Sequence, residues 1–518
     1  MIMLIFSLVG SSFEQERTIK GTVTSAEDGL SLTGVNVVVK GTSIGAITDA
    51  KGQYSIAIPS DAKTLVFSFI GMLTQEVAIG NSSVIDVPLA MSAEALQEVI
   101  VTALGIKKSE KAIGYSVTKV EGNEFIQARE TNVGNALVGR VAGVSVAKPV
   151  TGAAGSSRIV IRGNSSISGN NQPLIVIDGV PMDNQNLGNA GMWGGSDGGD
   201  GISSINPDDI ETMTVLKGGS AAAIYGALAS NGAILITTKS GKNSKGINVE
   251  FNSNYTIEKA VSYLDWQTEY GQGSKGHAPA TLSEARQDGP GGANLHLQSF
   301  GGKLDGHSVI CWDGVMRPYS YAGNAQDAFY EKGSTFTNTL AVTGGNENAN
   351  FRMSASDLKS ESVIPNAPMR KTTFAVNTNF TKGKVSGGLS GTYMLEDVQN
   401  ATIVADVPQN ANTPVLWWTT SVPISTIKGD PNKPGADPAT GMELLPTNDI
   451  WAGNPWWAAY QAVNDRKKDR MIGNAMVRYD PTEWLYLQVR MGLDKYNRSV
   501  IHVEPTGQGY NPTVSYEQ

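Results

Sequence analysis

The chain has 518 residues, a net charge of −8, only 17% charged residues and 59 glycines, a length that predicts roughly two to four folding units rather than one. Beyond the extreme N-terminus no run of about 18 apolar residues occurs, which argues against transmembrane helices but leaves membrane-crossing strands open. The acidic balance, with no Lys/Arg cluster interleaved with aromatics, argues against a nucleic-acid surface, and the lone Cys311 excludes an intrachain disulfide or a cysteine-built zinc site while leaving the compartment open.

Residues 1–16 open with the apolar run Met1–Gly10 followed by Ser11 and Ser12, the length and ending of an export signal. The usual basic opening is missing and Glu14 follows the small pair, so an apolar first strand is the alternative. From 17 to 92, short alternating runs (TIKGTV, GVNVVVKG, GAITDAKGQYSIAI, TLVFSFIGM, TQEVAI, SSVIDVPL) separated by turn residues predict a β-sandwich. Val35, Val37 and Val39 point inward, as do Leu65, Phe67 and Phe69, and Gly52 supplies the positive φ of the Asp49–Gly52 turn. This stretch resembles the carboxypeptidase regulatory-like domain. It contains no histidine, and His277, His296, His307 and His502 lack metal-ligand spacing, so no peptidase centre is expected and no metal or cofactor is implied.

Residues 96–107 form a linker around Glu98-Val99-Ile100-Val101-Thr102. Val99 and Val101 face one way, Ile100 and Thr102 the other, and such a β-branched segment is either an interdomain strand or a strand to be added to a partner's sheet edge. EVIVTALGIKK resembles the TonB box, and the resemblance implies that Glu98, Val99, Ile100, Val101 and Thr102 bind TonB and its proton-motive-force complex.

From 108 to 241 the texture becomes Gly-rich and mixed α+β. Val133, Leu137 and Val141 fall at helical spacing, Arg162 follows Ile159 and Ile161 at a strand end, and Asp178-Gly179 makes a turn. Lys217 precedes Gly218 and Gly219, the reverse of a phosphate-binding loop. The Gly188–Gly201 stretch, with Trp193, Asp197 and Asp200, is either a mobile plug loop touching ligand, with Trp193 a candidate substrate or lid contact, or a calcium loop; it has too few carboxylates for calcium, which favours the flexible loop. Four runs, GNALVGRVAGVSV, SSRIVIRGNSSISGNNQPLIVIDGVPMDN, SINPDDIETMTVLKGGSAAAIYG and SNGAILITTKSG, resemble the plug of TonB-dependent receptors. Thr214, where general receptors carry glutamate, is similar to the SusC/RagA subset. The resemblance implies plug-locking roles for Arg162, against a wall carboxylate, and for Lys217; the alternative for Arg162 is a surface arginine beside a turn.

After Gly246, apolar/polar alternation over about 9–11 residues predicts transmembrane antiparallel strands. Seven candidates are 246–258, 334–344, 348–358, 370–381, 384–396, 470–480 and 482–496, interrupted by strand-poor insertions at 259–333 and 397–469. The second insertion carries Trp417, Trp418, Trp451, Trp456 and Trp457, of which Trp417, Trp418, Trp456 and Trp457 are candidate substrate or lid contacts; the alternative is packing within the loop or an interfacial aromatic belt. A plugged transporter barrel has about 22 strands, so the partial barrel of 246–518 is expected to be a truncated one, ending before closure; Gln518 also lacks the family's terminal aromatic. The fold class is thus mainly β: sandwich, plug and the first strands of a barrel. By resemblance the function is TonB-dependent import across the outer membrane of an oligosaccharide or peptide, beside a SusD-like surface lipoprotein and in contact with outer-membrane lipid. An exported adhesin using the sandwich is the alternative, and no catalytic grouping supports an enzyme.

Overall fold

The computed structural model describes residues 17–517 apart from 43, 60–61, 70–71, 81, 91–98, 102–106, 110–116, 128, 150, 168–169, 187, 189–190, 192, 243, 245, 263, 287–297, 448–450, 452 and 511–515. The expected export signal at 1–16, and Glu98 and Thr102, lie outside the described residues. The chain divides into two compact units, one ending with the linker and one holding everything from Tyr115 onward.

The first unit is the expected sandwich. Strands β1 (Arg17–Ser25), β4 (Gln53–Ile58) and β7 (Val87–Leu89) form one sheet in the order β4-β1-β7. Strands β2 (Asn36–Val39), β3 (Gly45–Ile47), β5 (Thr64–Ser68) and β6 (Gln75–Ala78) form the other, ordered β3-β2-β5-β6. Inward positions alternate as their side chains require: Val35, Val37, Val39, Leu65 and Phe67 are buried with Ile19, Val23 and Ile56. Tyr54 packs edge-on against Phe67 at 5.5 Å, and its buried hydroxyl donates to the Ile85 carbonyl at 2.8 Å. Gly52 takes φ +73°, as the turn demands. After the sandwich, Val99–Val101 forms a short strand paired antiparallel with Lys107–Ser109.

The second unit begins with the plug. Its five-stranded sheet runs β8-β13-β14-β11-β12, built from β8 (Val117–Glu121), β11 (Leu174–Ile177), β12 (Val180–Met182), β13 (Ile210–Leu216) and β14 (Ala233–Thr238). A separate hairpin pairs β9 (Val144–Ala147) with β10 (Arg158–Ile161). Val133, Leu137 and Val141 are buried with Ile159, Ile175 and Met213, as the helical spacing anticipates, although the local structure is a single 3₁₀ segment, Val133–Leu137.

Around the plug runs an antiparallel meander whose long strands are β15 (Gly246–Lys259), β16 (Lys332–Gly345), β17 (Ala349–Glu361), β18 (Pro368–Lys382), β19 (Val385–Val398), β20 (Val463–Thr482) and β21 (Leu485–Glu504). Successive side chains alternate sides. Leu485, Leu487, Val489, Met491 and Leu493 are exposed on the outer face, with Ile247, Val249 and Phe251 on β15, whereas Arg352, Ser354, Lys371, Thr373 and Arg466 are buried against the plug. A broad apolar outer face of this kind is what a lipid-facing wall requires. Connections alternate too: residues 346–348, 383–384 and 483–484 make short turns at one end, and 260–331, 362–367 and 399–462 make longer loops at the other.

The structure corrects two boundaries. β20 begins at Val463 instead of 470, and β21 continues to Glu504 instead of 496, so the second insertion shrinks to 399–462. Asp465, Lys467 and Asp469 are charged at outward positions, which erases the apolar alternation that marks a lipid-facing strand. With 20 residues each, these strands are about twice the length needed to cross the hydrocarbon.

Candidate functional site

The seam between plug and wall concentrates buried charge. On the plug, Asn206 accepts from the Asp208 amide and Pro207 sets the first position of a 3₁₀ turn, so Asp208 and Asp209 project side by side. Asp209 accepts from Arg352 Nη1 at 2.5 Å and Ser354 Oγ at 2.6 Å, both on β17. Asp208 takes Asn252 Nδ2 of β15 at 3.0 Å and pairs with the plug's own Arg129. All four ionised groups are at least nine-tenths buried at their side chains. Isolated charges would be costly there, so pairing is required.

Further along the wall, cations on β18, β20 and β21 donate to plug backbone carbonyls. Arg466 donates to the Ala154 carbonyl at 2.9 Å and to that of Asp197, and Lys371 donates to Ser203 at 2.9 Å and Thr131 at 3.2 Å. Arg470 donates to the Asp183 carbonyl at 2.6 Å, and Arg490 to that of Asp178 at 2.8 Å. Glu396, on β19, lies 3.4 Å from Lys468 and 3.8 Å from Arg466. At Gly179, with φ +84°, a Cβ would stand 1.7 Å from Arg490 Nη1, so glycine is needed both for the turn and for the guanidinium's approach. Asp178 is structural, as expected, accepting from the Thr238 amide at 2.9 Å and hydroxyl at 2.7 Å.

Arg162 and Lys217 do not join this seam. Arg162 has φ +61° just past β10, its amide donates to the Gly143 carbonyl at 2.8 Å, and its side chain is exposed without an ion pair among the described residues. Lys217 is half-buried, likewise without an ion pair among the described residues. Among the described residues the cationic contacts from wall to plug are made by Arg352, Lys371, Arg466, Arg470 and Arg490, to which the sequence analysis assigns no such role. Their signal was present as Arg466, Lys468 and Arg470 at every second position, the spacing of one strand face.

The plug's glycine-rich loop is held from within. Asp200 is fully buried and accepts from the Ser157 and Ser203 amides at 2.7 and 2.9 Å and from Asn132 at 3.2 Å. Asp197 accepts from the Ser156 amide at 2.7 Å and Thr151 at 3.0 Å. The Val404 amide donates to the Gly195 carbonyl at 3.1 Å, tying this loop to the 399–462 loop, and Trp193 stands 72% exposed beside the contact.

The tryptophans divide. Asn454 caps the helix Pro455–Tyr460 by accepting from the Trp456 and Trp457 amides, and both indoles are buried, Trp456 edge-on to Phe329 at 5.3 Å and Trp457 under Lys433 at 4.9 Å. Trp418 is half-buried in the same cluster and donates to the Val422 carbonyl at 2.6 Å. These three therefore pack within the loops, and of the candidate contact residues only Trp417 and Trp193 present their rings outward. Glu443, buried behind the helix, accepts from the Asn454 and Gly509 amides at 2.6 and 2.7 Å; burial pushes its carboxyl up to about 7. Val99–Val101, the described part of the candidate coupling segment, is a strand already paired within the linker.

The TonB-dependent Receptor Plug Domain family matches residues 109–233, and the CarboxypepD_reg-like domain family matches residues 19–101. The TonB-dependent receptor SusC of Bacteroides thetaiotaomicron is 40% identical over 267 residues, covering 51% of this chain and 25% of that protein. TonB-dependent receptor P3 of Formosa agariphila is 28% identical over 529 residues, covering 100% of this chain and 46% of that protein. Among solved structures, the RagAB peptide importer in its open-open state superposes with a TM-score of 0.54 at 18% identity, covering 80% of this chain and 44% of that one. The chain thus spans less than half the length of these curated relatives.

Proposed function

Because the chain belongs to the SusC/RagA type of TonB-dependent receptors, we propose that it serves active nutrient import across the outer membrane, with the plug closing a wall of strands until energy from the inner membrane loosens it. The observation that carries this is the character of the seam. Its buried contacts include ion pairs and cation-to-carbonyl hydrogen bonds beside a few apolar ones, Ile472 in the plug core and Leu358, Met369 and Val398 against Ala153 and Ala154, and water entering the seam can replace the polar partners. A permanently fused plug would be better served by apolar packing.

In this account the segment Glu98–Thr102 is grasped by TonB, working with its proton-motive-force complex, and adds as a strand to its sheet edge. Support comes from its place between sandwich and plug and from the pairing already made by Val99–Val101, which shows that its backbone takes strand geometry. Arg162, exposed at its turn, and Lys217 are proposed to engage charged partners as the plug moves. The cargo is an oligosaccharide or a peptide, captured between the long loops with Trp193 and Trp417 as the outward-facing contacts, under a SusD-like lipoprotein. Sequence similarity to the TonB-dependent receptor SusC supports import by a receptor of this kind, while the likeness to the RagAB peptide importer at 18% identity speaks for the fold alone. No catalysis is proposed. The test is accumulation of labelled oligosaccharides and peptides by cells bearing the protein, with and without TonB. Uptake lost without TonB, with surface binding retained, is the expected result; energy-independent uptake would overturn the assignment.

A further inference from the structure

Near its short-turn end the outer face of the wall carries aromatic side chains. Phe351, Phe380 and Tyr479 share that face by register, Phe351 in the row of the exposed Ile247 and Tyr479 beside the exposed Val385. Such a girdle marks a membrane interface. Between Phe351 and Phe380 the girdle opens. A Cβ on Gly344 would stand 2.7 Å from the Phe351 ring, and one on Gly387 2.6 Å from the Phe380 ring. Each ring therefore covers a glycine on the strand away from the other, Phe351 on β16 and Phe380 on β19. What remains between them is Ala349, opposite Phe380, and Thr378, opposite Phe351. With Ile247 these residues line a cleft of about 520 Å³.

The cleft is graded from apolar to polar toward the turns. No charged side chain lines it among the described residues. Asn379 Nδ2 donates to Asn350 Oδ1 at 3.3 Å, and Asn346 Oδ1 accepts from the Asn348 and Ala349 amides at 2.9 Å, which leaves the Asn346 NH2 group as a donor at the turn end. Lys382 follows Phe380 by two residues on the same face, about 7 Å nearer the turn. It is exposed and makes no ion pair among the described residues, and Glu347 in the 346–348 turn is exposed as well, so this rim offers both signs of charge. A cleft in a lipid-facing wall is filled by what the bilayer supplies, since an empty one would leave its apolar lining without contacts. Short turns lie on the periplasmic side of such walls, which sets the acyl chains of that leaflet level with the cleft and its headgroups level with Lys382. We propose that the cleft between Phe351 and Phe380 seats one acyl chain of a glycerophospholipid of the periplasmic leaflet, with the phosphate on Lys382 and an ester carbonyl on the Asn346 amide. The site is separate from the import path and needs only the wall to stand in a membrane.

Native mass spectrometry of the protein released from outer membranes in a mild detergent tests this. Wild type should retain one glycerophospholipid, identified by mass and fragmentation, through detergent exchange. The variants are compared at wild-type level in the membrane. Thr378→Trp fills the floor and Ala349→Leu narrows it, and each should lower the retained fraction about tenfold, the equivalent of roughly two methylene groups kept from burial. Lys382→Gln should lower it about fivefold, as for one basic residue at a membrane surface, and Lys382→Arg should restore it. Val489→Trp, on the outer face of β21 beyond the cleft, should retain the lipid as wild type does. Absence of a retained phospholipid in wild type, equal retention in all variants, or a phosphorylated saccharolipid of the opposite leaflet in its place would overturn the proposal.

Discussion

Arg470 and Asp494, on neighbouring wall strands, form a bidentate pair at 2.8 and 2.6 Å, and together they hold both backbone groups of plug residue Asp183. Arg470 donates to the Asp183 carbonyl at 2.6 Å, and Asp494 accepts from its amide at 2.9 Å. Side chains on the wall thus grip the plug through main-chain atoms, so the grip depends on the position of the Asp183 backbone instead of its side chain.

Replacing Arg470 by methionine keeps most of the volume but leaves Asp494 buried without its cation. Breaking a buried pair this way costs about 3–5 kcal/mol, concentrated at the clamp. Hydrogen exchange should show the amides of residues 180–184 opening faster in Arg470→Met, with much of the protection restored in Arg470→Met/Asp494→Leu. Unchanged exchange in the single variant would mean the clamp holds nothing.

Glu443 gives the long loops a pH dependence. Its folded carboxyl titrates near 7, above the ordinary value of 4.5, because burial disfavours the charge. A raised carboxyl binds its proton more tightly in the folded loop, so its contribution is fully present below about 4.5 and is lost as pH rises through about 7. Limited proteolysis of the 399–462 loop should therefore speed up between pH 6 and pH 8 in wild type, and Glu443→Gln should flatten that dependence. A wild-type rate constant across the interval would contradict the assignment.

Trp457→Ala and Trp456→Ala should each destabilise the loop cluster by about 3–5 kcal/mol, the cost of emptying a buried aromatic site, while Trp417→Ala, at an indole 48% exposed, should cost clearly less. Thermal unfolding followed by tryptophan fluorescence separates them. Equal, small effects at all three positions would mean that the indoles are not built into the loop core.

Much of the fold was legible because alternation is a direct imprint of a two-faced strand. The valines of β2, the Leu65 and Phe67 pair and the apolar row from Leu485 to Leu493 are where the period places them. The first half of β20 escaped because charge on both faces looks like loop, although Arg466, Lys468 and Arg470 kept the strand's period. The tryptophans were ambiguous for another reason: an aromatic side chain serves a core and a ligand equally well, and only Asn454 capping the helix start decides for burial of Trp456 and Trp457. Arg162 sits at an exposed turn with positive φ, and the described cationic contacts between wall and plug come from wall residues.

The central claim is that pulling on the linker moves a plug held by polar contacts. The most direct measurement is energised uptake of a bound ligand by cells carrying Val99→Pro or Val101→Pro, which removes a backbone donor from the strand TonB is proposed to pair with. The account predicts that uptake is abolished while ligand binding at the surface is unchanged; uptake at the wild-type rate in both variants would contradict it.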